Sequence, residues 1–498
     1  MRKYIRTPYS ISWQEIANKG FSLSSSQYEK FIIPNANFRY VRDFMERPLC
    51  REDLGYEVGT LSYIDKSPFS FIRAKALQES SFLLDINKET SLPILPREFV
   101  QMNLKEGDLL ISKDSNIGEI AILERDYPNS MVSGAIYKLP VKAEWRFYLL
   151  AFIKHGVFRE QLDSLVPKGA TIRHAKTMFL DCKIPLPKND TEKAVLYITL
   201  LTRAIVEKEK LIKQRHENIL GLIEQELFEN QTNRHFHFQM PTLQEINETG
   251  RLDSNLYSGY LKKEVFFIKN YYRGYKTIEQ LGFTLSRGQN LQITNIGKSV
   301  YSKVYHKNFY TLVLPKFLSK YGTINETCYL GNPNDLKTLR IGDLIFGAEG
   351  FEKGRSIVVI EEKSRTITNI HGITLQQEDQ DLSKAIFIKC FMDYLRNKGL
   401  IDLFAVGGNG GSLAQKYWGV IPFPDFPQNV KDSITKLYYN SKEESSALTA
   451  SNFREKDALF NREAGVYELD KSAKRLKIIL SQALDCIANN KDISYTFN

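Results

Sequence analysis

The sequence predicts a mixed α/β (α+β) fold in which two similar globular units are separated by two long, antiparallel, coiled-coil-like helices with pseudo-twofold symmetry. Three observations predict this fold. Short segments recur in the same order at a period of about 235 to 240 residues. Each copy mixes β-rich segments with helical ones, and each is followed by a long stretch with helical apolar spacing. Because an internal repeat reflects a repeated structural unit, the duplication sets the architecture before any single element is assigned.

The duplication is read from matched segments. Leu104–Leu110 (LKEGDLL) recurs as Leu339–Ile345 (LRIGDLI), at an offset of 235 positions. Further matches follow in the same order: Tyr28 with Tyr257, Gly134 with Gly372, and Ile184–Pro187 (IPLP) with Ile421–Pro424 (IPFP). Two diverged copies therefore make up the chain.

Composition limits the class of protein. A chain of 498 residues exceeds one ordinary core and favours roughly two to four domains. Lys and Arg number 68 against 58 Asp and Glu, a net charge of +10 that moderately favours polyanionic partners. The five cysteines are scattered, without a C-x-x-C pair, so we expect neither disulfides nor a zinc site. With no secretory signal and no apolar run near the roughly 20 residues that span a bilayer, a cytoplasmic location without membrane contact is expected.

Within each copy, apolar and β-branched runs predict strands and amphipathic runs predict helices. The expected strands are 108–111, 119–123 and 356–360, and the expected helices are 145–162 and 382–395. The Ile-Pro-x-Pro segment must be extended, because proline lacks an amide donor and disfavours a helical conformation in the residue before it. It closes each globular unit.

A long helix is predicted after the first Ile-Pro-x-Pro segment. Residues 191–230 contain no proline and a single glycine, Gly221, and their apolar residues fall mostly three, four or seven positions apart. About 40 residues would extend roughly 60 Å as a helix. Asp190 or Thr191 can cap its start.

The second copy ends in helical sequence at 429–463 and 469–489, with Gly465 expected to interrupt it. Narrow apolar seams predict that the long helices pack as an antiparallel pair. The expected core of this pair is Ile198, Leu201, Ile205, Ile212, Ile219, Leu476, Leu480 and Ile487. The expected division is residues 1–190, the first globular unit; 191–240, the long helix and a linker; 241–427, the second unit; and 428–498, the C-terminal helices.

These motifs together resemble the specificity subunit of a type I restriction-modification system. They comprise Phe71–Ala74 (FIRA), the Gly-Asp-Leu strand, Lys168–His174 (KGATIRH), the Ile-Pro-x-Pro exit and the helix after it, with Gly408–Leu413 (GNGGSL) in the second copy. The resemblance covers essentially the whole chain, and it depends on the order and duplication of motifs that are individually weak. The long C-terminal region, interrupted near Gly465, departs from a simple helix pair.

The resemblance implies a non-catalytic subunit that recognises DNA for an enzyme complex in phage defence. Residues 1–190 and 241–427 would be two target recognition domains, each reading one half of a bipartite site in double-stranded DNA. The expected partners are two methyltransferase subunits and restriction subunits. S-adenosylmethionine, ATP and Mg²⁺ would be bound by those partners, with no cofactor, metal or catalytic residue in this chain.

Basic and amide side chains in the loops are the candidate DNA contacts, because Arg and Lys pair with guanine or phosphate and Asn pairs with adenine. In the first copy they are Arg73, Lys75, Lys113, Asn116, Lys168, Arg173 and Lys176. In the second copy they are Arg287, Asn290, Lys353, Arg355, Asn409 and Lys416.

Alternative functions remain open at this stage. Asp343 with Glu361 resembles the spacing of a metal-dependent nuclease, and Phe346–Gly350 resembles a methyltransferase glycine loop. The first copy preserves neither pattern, so the Gly-Asp pairs are interpreted as turns with a capped backbone amide. A further alternative is a scaffold in phage defence that does not read DNA.

Overall fold

The computed structural model describes residues 3–166, 174–350, 353–361, 365–407, 410–444 and 448–497. Its helices are α1 (Trp13–Asn18), α2 (Arg146–Lys154), α3 (Gly156–Leu165), α4 (Thr191–Glu229), α5 (Leu243–Thr249), α6 (Gly259–Lys269), α7 (Ile293–Ile296), α8 (Leu382–Asn397), α9 (Leu400–Phe404), α10 (Gln428–Tyr438), α11 (Phe453–Glu463) and α12 (Val466–Ala488).

The strands are short. They are β1 (Ile5–Arg6), β2 (Lys30–Phe31), β3 (Phe38–Tyr40), β4 (Ser70–Ile72), β5 (Ser91–Pro93), β6 (Leu109–Ser112), β7 (Ile120–Ile122), β8 (Ser130–Val132), β9 (Ile136–Leu139), β10 (Lys183–Pro185), β11 (Tyr275–Lys276), β12 (Phe283–Arg287), β13 (Val300–Ser302), β14 (Tyr310–Leu312), β15 (Cys328–Gly331), β16 (Leu344–Gly347), β17 (Ser356–Val358), β18 (Thr366–Ile367), β19 (Gly372–Gln377) and β20 (Phe423–Pro424). The mixed helix and sheet content confirms the predicted fold class.

The chain forms two compact units. Unit 1 comprises residues 1–210, 444–462 and 471–498, and unit 2 comprises residues 211–443 and 463–470. Helices α4 and α12 each contribute residues to both units.

Unit 1 is built on small sheets. The strand orders are β7-β6-β9, β5-β4-β8, β10-β3 and β1-β2, and β4 pairs with β8 in parallel. Every residue of β6 is buried, because the apolar run at Leu109–Ser112 has packing partners on both faces. Helices α2 and α3 complete the core around this strand.

Unit 2 repeats the first three of these sheets. Its strand orders are β17-β16-β19-β12, β18-β14-β15-β13 and β20-β11, and β14 pairs with β18 in parallel. Strand β16 takes the place of β6 and is buried along its whole length. Strands β12 and β13 extend two of the sheets beyond the strands of the first copy. The same order of pairing in both units confirms the duplication that the sequence predicts.

Helix α4 runs for 39 residues, as predicted from its proline-free apolar spacing. Within unit 1, Tyr197 of α4 donates a hydrogen bond to the carbonyl of Thr496, after the end of α12. Further along α4, Glu209 forms an ion pair of 2.6 Å with Lys477 of α12. The two segments in unit 1 are therefore antiparallel. All the residues expected in the helix-pair core are buried: Ile198, Leu201, Ile205, Ile212, Ile219, Leu476, Leu480 and Ile487.

The prediction of helical sequence throughout 429–463 is wrong in its middle part, because α10 ends at Tyr438 and α11 begins at Phe453. Ser441 adopts a left-handed φ of 52°, and the segment is rich in Ser and Asn, whose side chains compete with helical backbone hydrogen bonds. The predicted interruption at Gly465 is confirmed, since it separates α11 from α12. A Cβ atom there would lie 2.6 Å from the backbone carbonyl of Tyr438.

Candidate nucleic-acid interface

Equivalent carboxylates follow β6 in unit 1 and β16 in unit 2, the buried strands that we call the central strands. Asp114 lies two residues after β6 and Glu349 two residues after β16, and they are 235 positions apart, the offset of the duplicated Gly-Asp pairs. Each carboxylate is bonded to a histidine and to a basic side chain. We call these groups the Asp114 cluster (Asp114, His174, Lys113) and the Glu349 cluster (Glu349, His371, Arg287).

In the Asp114 cluster, the carboxylate holds the ring of an exposed histidine. Nδ1 of His174 lies 2.7 Å from Oδ1 of Asp114, and Nζ of Lys113 donates to Oδ2. The His174 side chain is 57% exposed, whereas that of Asp114 is 14% exposed. A carboxylate bonded to Nδ1 orients an imidazole and leaves Nε2 for another partner. This cluster therefore presents an oriented imidazole at the surface of unit 1.

In the Glu349 cluster, Nδ1 of His371 lies 2.7 Å from Oε2 and Nη1 of Arg287 lies 2.7 Å from Oε1. Burial raises the pKa of the Glu349 carboxyl, but the hydrogen bonds from His371 and Arg287 outweigh it and lower the pKa overall. The carboxylate stays ionised at neutral pH. It fixes both a guanidinium and an imidazole at the surface of unit 2.

Both clusters also join the loop after the central strand to a later segment of the same unit. Asp114 forms an antiparallel bridge with His174, and Glu349 forms one with Ser412. Ser412 is the second-copy counterpart of His174 at an offset of 238, the offset of Gly134 and Gly372. The same two loops are therefore held side by side in both units.

Most of the predicted DNA contacts lie at the surface. Arg73, Lys75, Asn116, Lys176, Arg287, Asn290 and Lys416 are exposed, while Lys113 and Arg355 are half-buried. The structure places Lys113 and Arg287 in the two clusters. Arg355 donates from Nη1 to the carbonyl of Leu318 at 2.8 Å. Lys168, Arg173 and Asn409 lie outside the described residues.

Lys353 does not fit the predicted role. Its side chain is buried, and its ammonium forms an ion pair of 2.5 Å with Asp402. A buried charge is stabilised by such a partner and is not available to a phosphate or a base. The sequence could not reveal this, because Lys353 follows a glycine-rich loop that looks exposed.

The central carboxylates and their histidines were not among the predicted residues. His174 is 60 residues from Asp114 and His371 is 22 residues from Glu349, so no local motif contains either pair. One signal was available, because Asp114 and Glu349 align at the same offset as Asp108 and Asp343. An acidic side chain does not itself suggest a contact with DNA, because it repels phosphate.

The Gly-Asp pairs are turns with a capped backbone amide, as predicted. Asp108 accepts from the amide of Lys105 at 2.9 Å, and Asp343 accepts from the amide of Arg340 at 2.8 Å. The glycines before them, Gly107 and Gly342, have φ of 87° and 83°. Asp343 is fully buried in this role.

Other features of the alternative sites are also engaged in packing. Glu361 accepts a hydrogen bond of 3.0 Å from the hydroxyl of Tyr467, and Phe346 packs edge-to-face on Trp418 at 4.8 Å. Across the described ranges, no group of three or more His, Cys, Asp or Glu residues is arranged to hold a metal ion. Among the described helices, none is both long and apolar enough to cross a bilayer.

No protein-family model matches the sequence, and no curated protein matches it. The structure is similar to a type I restriction-modification system S subunit from M. genitalium, with 10% identity, 92% of this chain and 96% of that chain covered, and a TM-score of 0.42. It is also similar to a structure from a study of complex assembly and conformational transition of the type I R-M system, with 11% identity, coverage of 92% and 99%, and a TM-score of 0.28. A third is the HsdS subunit from Thermoanaerobacter tengcongensis, with 12% identity, coverage of 93% and 99%, and a TM-score of 0.26. Each TM-score is below 0.5, and the proposal for this chain rests on its own residues.

Proposed function

We propose that this chain is the DNA-specificity subunit of a type I restriction-modification complex, which recognises a bipartite DNA site and directs methyltransferase and restriction subunits to it. The observation that supports this proposal most strongly is the pair of clusters built on equivalent carboxylates, Asp114 and Glu349, one in each copy of the duplicated unit. The histidine and the basic residue of each cluster come from different positions in the two copies. A repeated scaffold that carries different side chains is suited to a target with two parts of different sequence.

Each cluster offers side chains that suit DNA. A guanidinium or ammonium neutralises phosphate, which supplies most of the affinity, and it can also pair with the edge of guanine. An imidazole oriented through Nδ1 can bond a phosphate or a base through Nε2. In this proposal Asp114 and Glu349 do not touch DNA, which they would repel. They are positioning residues for His174, His371 and Arg287.

Specificity would come from the combination of two short readings. Phosphate contacts fix the register of each module on the duplex, and base contacts in the loops distinguish sequences. The exposed candidates Asn116 and Asn290 suit adenine, and Arg73 and Lys416 suit guanine or phosphate. Each contact with the wrong base typically costs about 1–3 kcal/mol, so two half-sites together give a larger discrimination than either alone.

An exchange of modules tests the proposal. Residues 1–190 would be replaced by the corresponding region of a related protein, and in a matched variant residues 241–427 would be replaced. We expect each exchange to change one half of the methylated sequence and leave the other half unaltered. Methylation mapping in which either exchange altered both halves would contradict independent reading.

A second experiment separates this function from an enzyme and from a non-reading scaffold. The proposal assigns S-adenosylmethionine, ATP and Mg²⁺ to the partner subunits. Purified chain with Mg²⁺ or S-adenosylmethionine should leave DNA unaltered, and methylation should appear when a methyltransferase subunit is added. Cleavage or methylation by the chain alone would favour the nuclease or methyltransferase. Failure to bind DNA in a gel-shift series would favour the scaffold.

A further inference from the structure

Units 1 and 2 differ most in formal charge in the region that precedes β6 in unit 1 and β16 in unit 2. Residues 280–325 of unit 2 contain six Lys or Arg residues and no Asp or Glu, and we call this region the acid-free segment. The corresponding residues 45–90 of unit 1, at the offset of 235, contain six Lys or Arg residues and eight Asp or Glu residues. The formal charges of equivalent regions are therefore +6 and −2.

The acid-free segment includes strand β13, which lies at the edge of its sheet. β13 pairs with β15 on one side, and it is the end strand in the order β18-β14-β15-β13. In the described part of unit 1, the matching edge of the sheet β5-β4-β8 carries only an isolated antiparallel bridge, between Tyr63 and Ile94, in place of this strand. An edge strand leaves backbone N–H and C=O groups open to a partner.

Basic and aromatic side chains alternate on and around β13. Tyr301 and Tyr305 are 56% and 61% exposed, and Lys298 and Lys307 are exposed on either side of them. Lys303 forms an ion pair of 2.8 Å with Glu326, but its side chain is 83% exposed, and such surface pairs are worth little. Exposed lysines of this kind can each neutralise a phosphate of duplex DNA.

The loop after β13 is ordered by its own contacts. The Ser302 hydroxyl accepts from the amide of Val304 at 3.0 Å and donates to its carbonyl at 2.7 Å. Tyr305 packs edge-to-face on Tyr329, with ring centroids 5.5 Å apart. A loop held in this way presents its lysines with less loss of conformational entropy on binding.

We propose that the acid-free segment, with β13 at its centre, is a phosphate-backbone contact for duplex DNA that unit 1 does not share. This inference rests on the proposed function. Unit 2 would supply a larger part of the salt-dependent affinity, while unit 1 would depend more on contacts with bases. The occupant is duplex DNA because a polyanion matches a segment that has six cations and no acid of its own, with only Arg287 and Lys303 described above as paired to acids outside it. Each neutralised phosphate releases counterions.

The test compares two charge-matched variants of the full chain. Lys298→Gln with Lys307→Gln removes two exposed cations from unit 2, and Lys66→Gln with Lys88→Gln removes two exposed cations from the corresponding region of unit 1. Binding to a fluorescein-labelled duplex of mixed sequence is measured by anisotropy over a series of salt concentrations. We expect the unit 2 variant to reduce the magnitude of the slope of log affinity against log salt concentration by about 2. The unit 1 variant should lower it by less than about 1.

Control experiments distinguish failure of this inference from failure of the proposed function. Lys298→Arg with Lys307→Arg should retain the wild-type slope, and thermal melts should show that all variants are folded. A wild-type chain that does not bind DNA would overturn the proposed function together with this inference. A wild-type chain that binds while both Gln variants lower the slope equally, or while the unit 2 variant leaves it unchanged, would overturn this inference alone. An unchanged slope is also the result expected if the segment binds an acidic protein.

Discussion

Units 1 and 2 share a scaffold but carry different surfaces. Strands β6 and β16 are both fully buried, and both lead to a carboxylate that holds a histidine. The regions before these strands, residues 45–90 and 280–325, have formal charges of opposite sign. The difference shows which parts of a duplicated module can change: a buried strand is constrained by packing on both faces, whereas an exposed loop is constrained mainly by what it binds.

The largest expected effect concerns a buried lysine in each unit. In unit 2, Lys389 pairs with Asp393 at 2.5 Å and both side chains are buried. In unit 1, Lys208 donates to both Asp457 and Asn461 at 2.5 Å. Asp393→Ala should lower the free energy of unfolding by about 3–5 kcal/mol, because it leaves a buried charge without its partner. Asp457→Ala should cost less, about 1–3 kcal/mol, because Asn461 remains as an acceptor.

Urea unfolding followed by two spectroscopic probes measures both losses. The double variant Lys389→Met with Asp393→Leu should recover most of the loss, since an apolar pair of similar volume replaces a buried ion pair at little cost. Equal losses of unfolding free energy for Asp393→Ala and Asp457→Ala would show that Asn461 does not compensate for the missing carboxylate in unit 1.

The next prediction tests the equivalence of the scaffolds through two glycines. A Cβ atom on Gly55 would lie 2.2 Å from the carbonyl oxygen of Ser133, and one on Gly288 would lie 2.2 Å from that of Asn369. Gly55→Ala and Gly288→Ala should each lower the free energy of unfolding by about 1–3 kcal/mol, because the backbones must move apart. Gly221→Ala is the control. Apart from its chain neighbours and the adjacent backbone of α4, no described atom lies within 4 Å of its Cβ position, so it should stabilise the chain by about 0.5–1 kcal/mol.

Thermal or urea unfolding of the three variants decides this point. A loss at one of the paired glycines without a loss at the other would show that the two scaffolds are not equivalent where these backbones meet. Destabilisation by Gly221→Ala would contradict the exposed position of that glycine.

A smaller effect is expected from pH. Burial lowers the pKa of His216 in unit 2 well below 6.5, with the charges of Lys389, Lys320 and Arg396 acting in the same direction. Burial also lowers the pKa of His155 in unit 1, but the charge of Asp485 opposes that shift. Unit 2 should therefore be the more acid-sensitive of the two.

The direction in which stability changes with pH follows from proton binding. Below pH 6.5 the unfolded state binds a proton at His216 that the folded state does not, so stability falls as pH falls, by at most about 1.4 kcal/mol per pH unit for one histidine. His216→Phe keeps the edge-to-face contact with Tyr321 and removes the titrating group. It should reduce the fall in Tm below pH 6.5, whereas replacement of the exposed His235 by Phe should not. An unaltered pH profile in His216→Phe would contradict the assignment.

The sequence was most informative where one local rule dominates. Helix α4 was predicted to within a residue of its observed end, because a long stretch without proline keeps its apolar spacing. The Gly-Asp turns were predicted from a short motif. The break between α10 and α11 was missed, since Ser and Asn weaken a helix only slightly one at a time and no proline or glycine lies between the two helices.

The candidate site was less predictable, because it depends on tertiary contacts. Exposed basic residues such as Arg73 and Lys416 could be nominated from composition alone, but burial of Lys353 depends on Asp402, which is distant in sequence. The clusters depend on pairings that only the folded sheets bring about. The internal repeat was the one sequence signal that pointed to Asp114 and Glu349 together.

The most direct test of the central claim is a map of methylated adenines in cells that carry the methyltransferase subunit and either the wild-type chain or a cluster variant. Wild-type chain should give one bipartite sequence. His174→Ala should relax one half of that sequence only, and Arg287→Ala with His371→Ala should relax the other half only. Relaxation of the same half by both variants, or a methylated site without two separate parts, would contradict the account of two modules that each read one half-site.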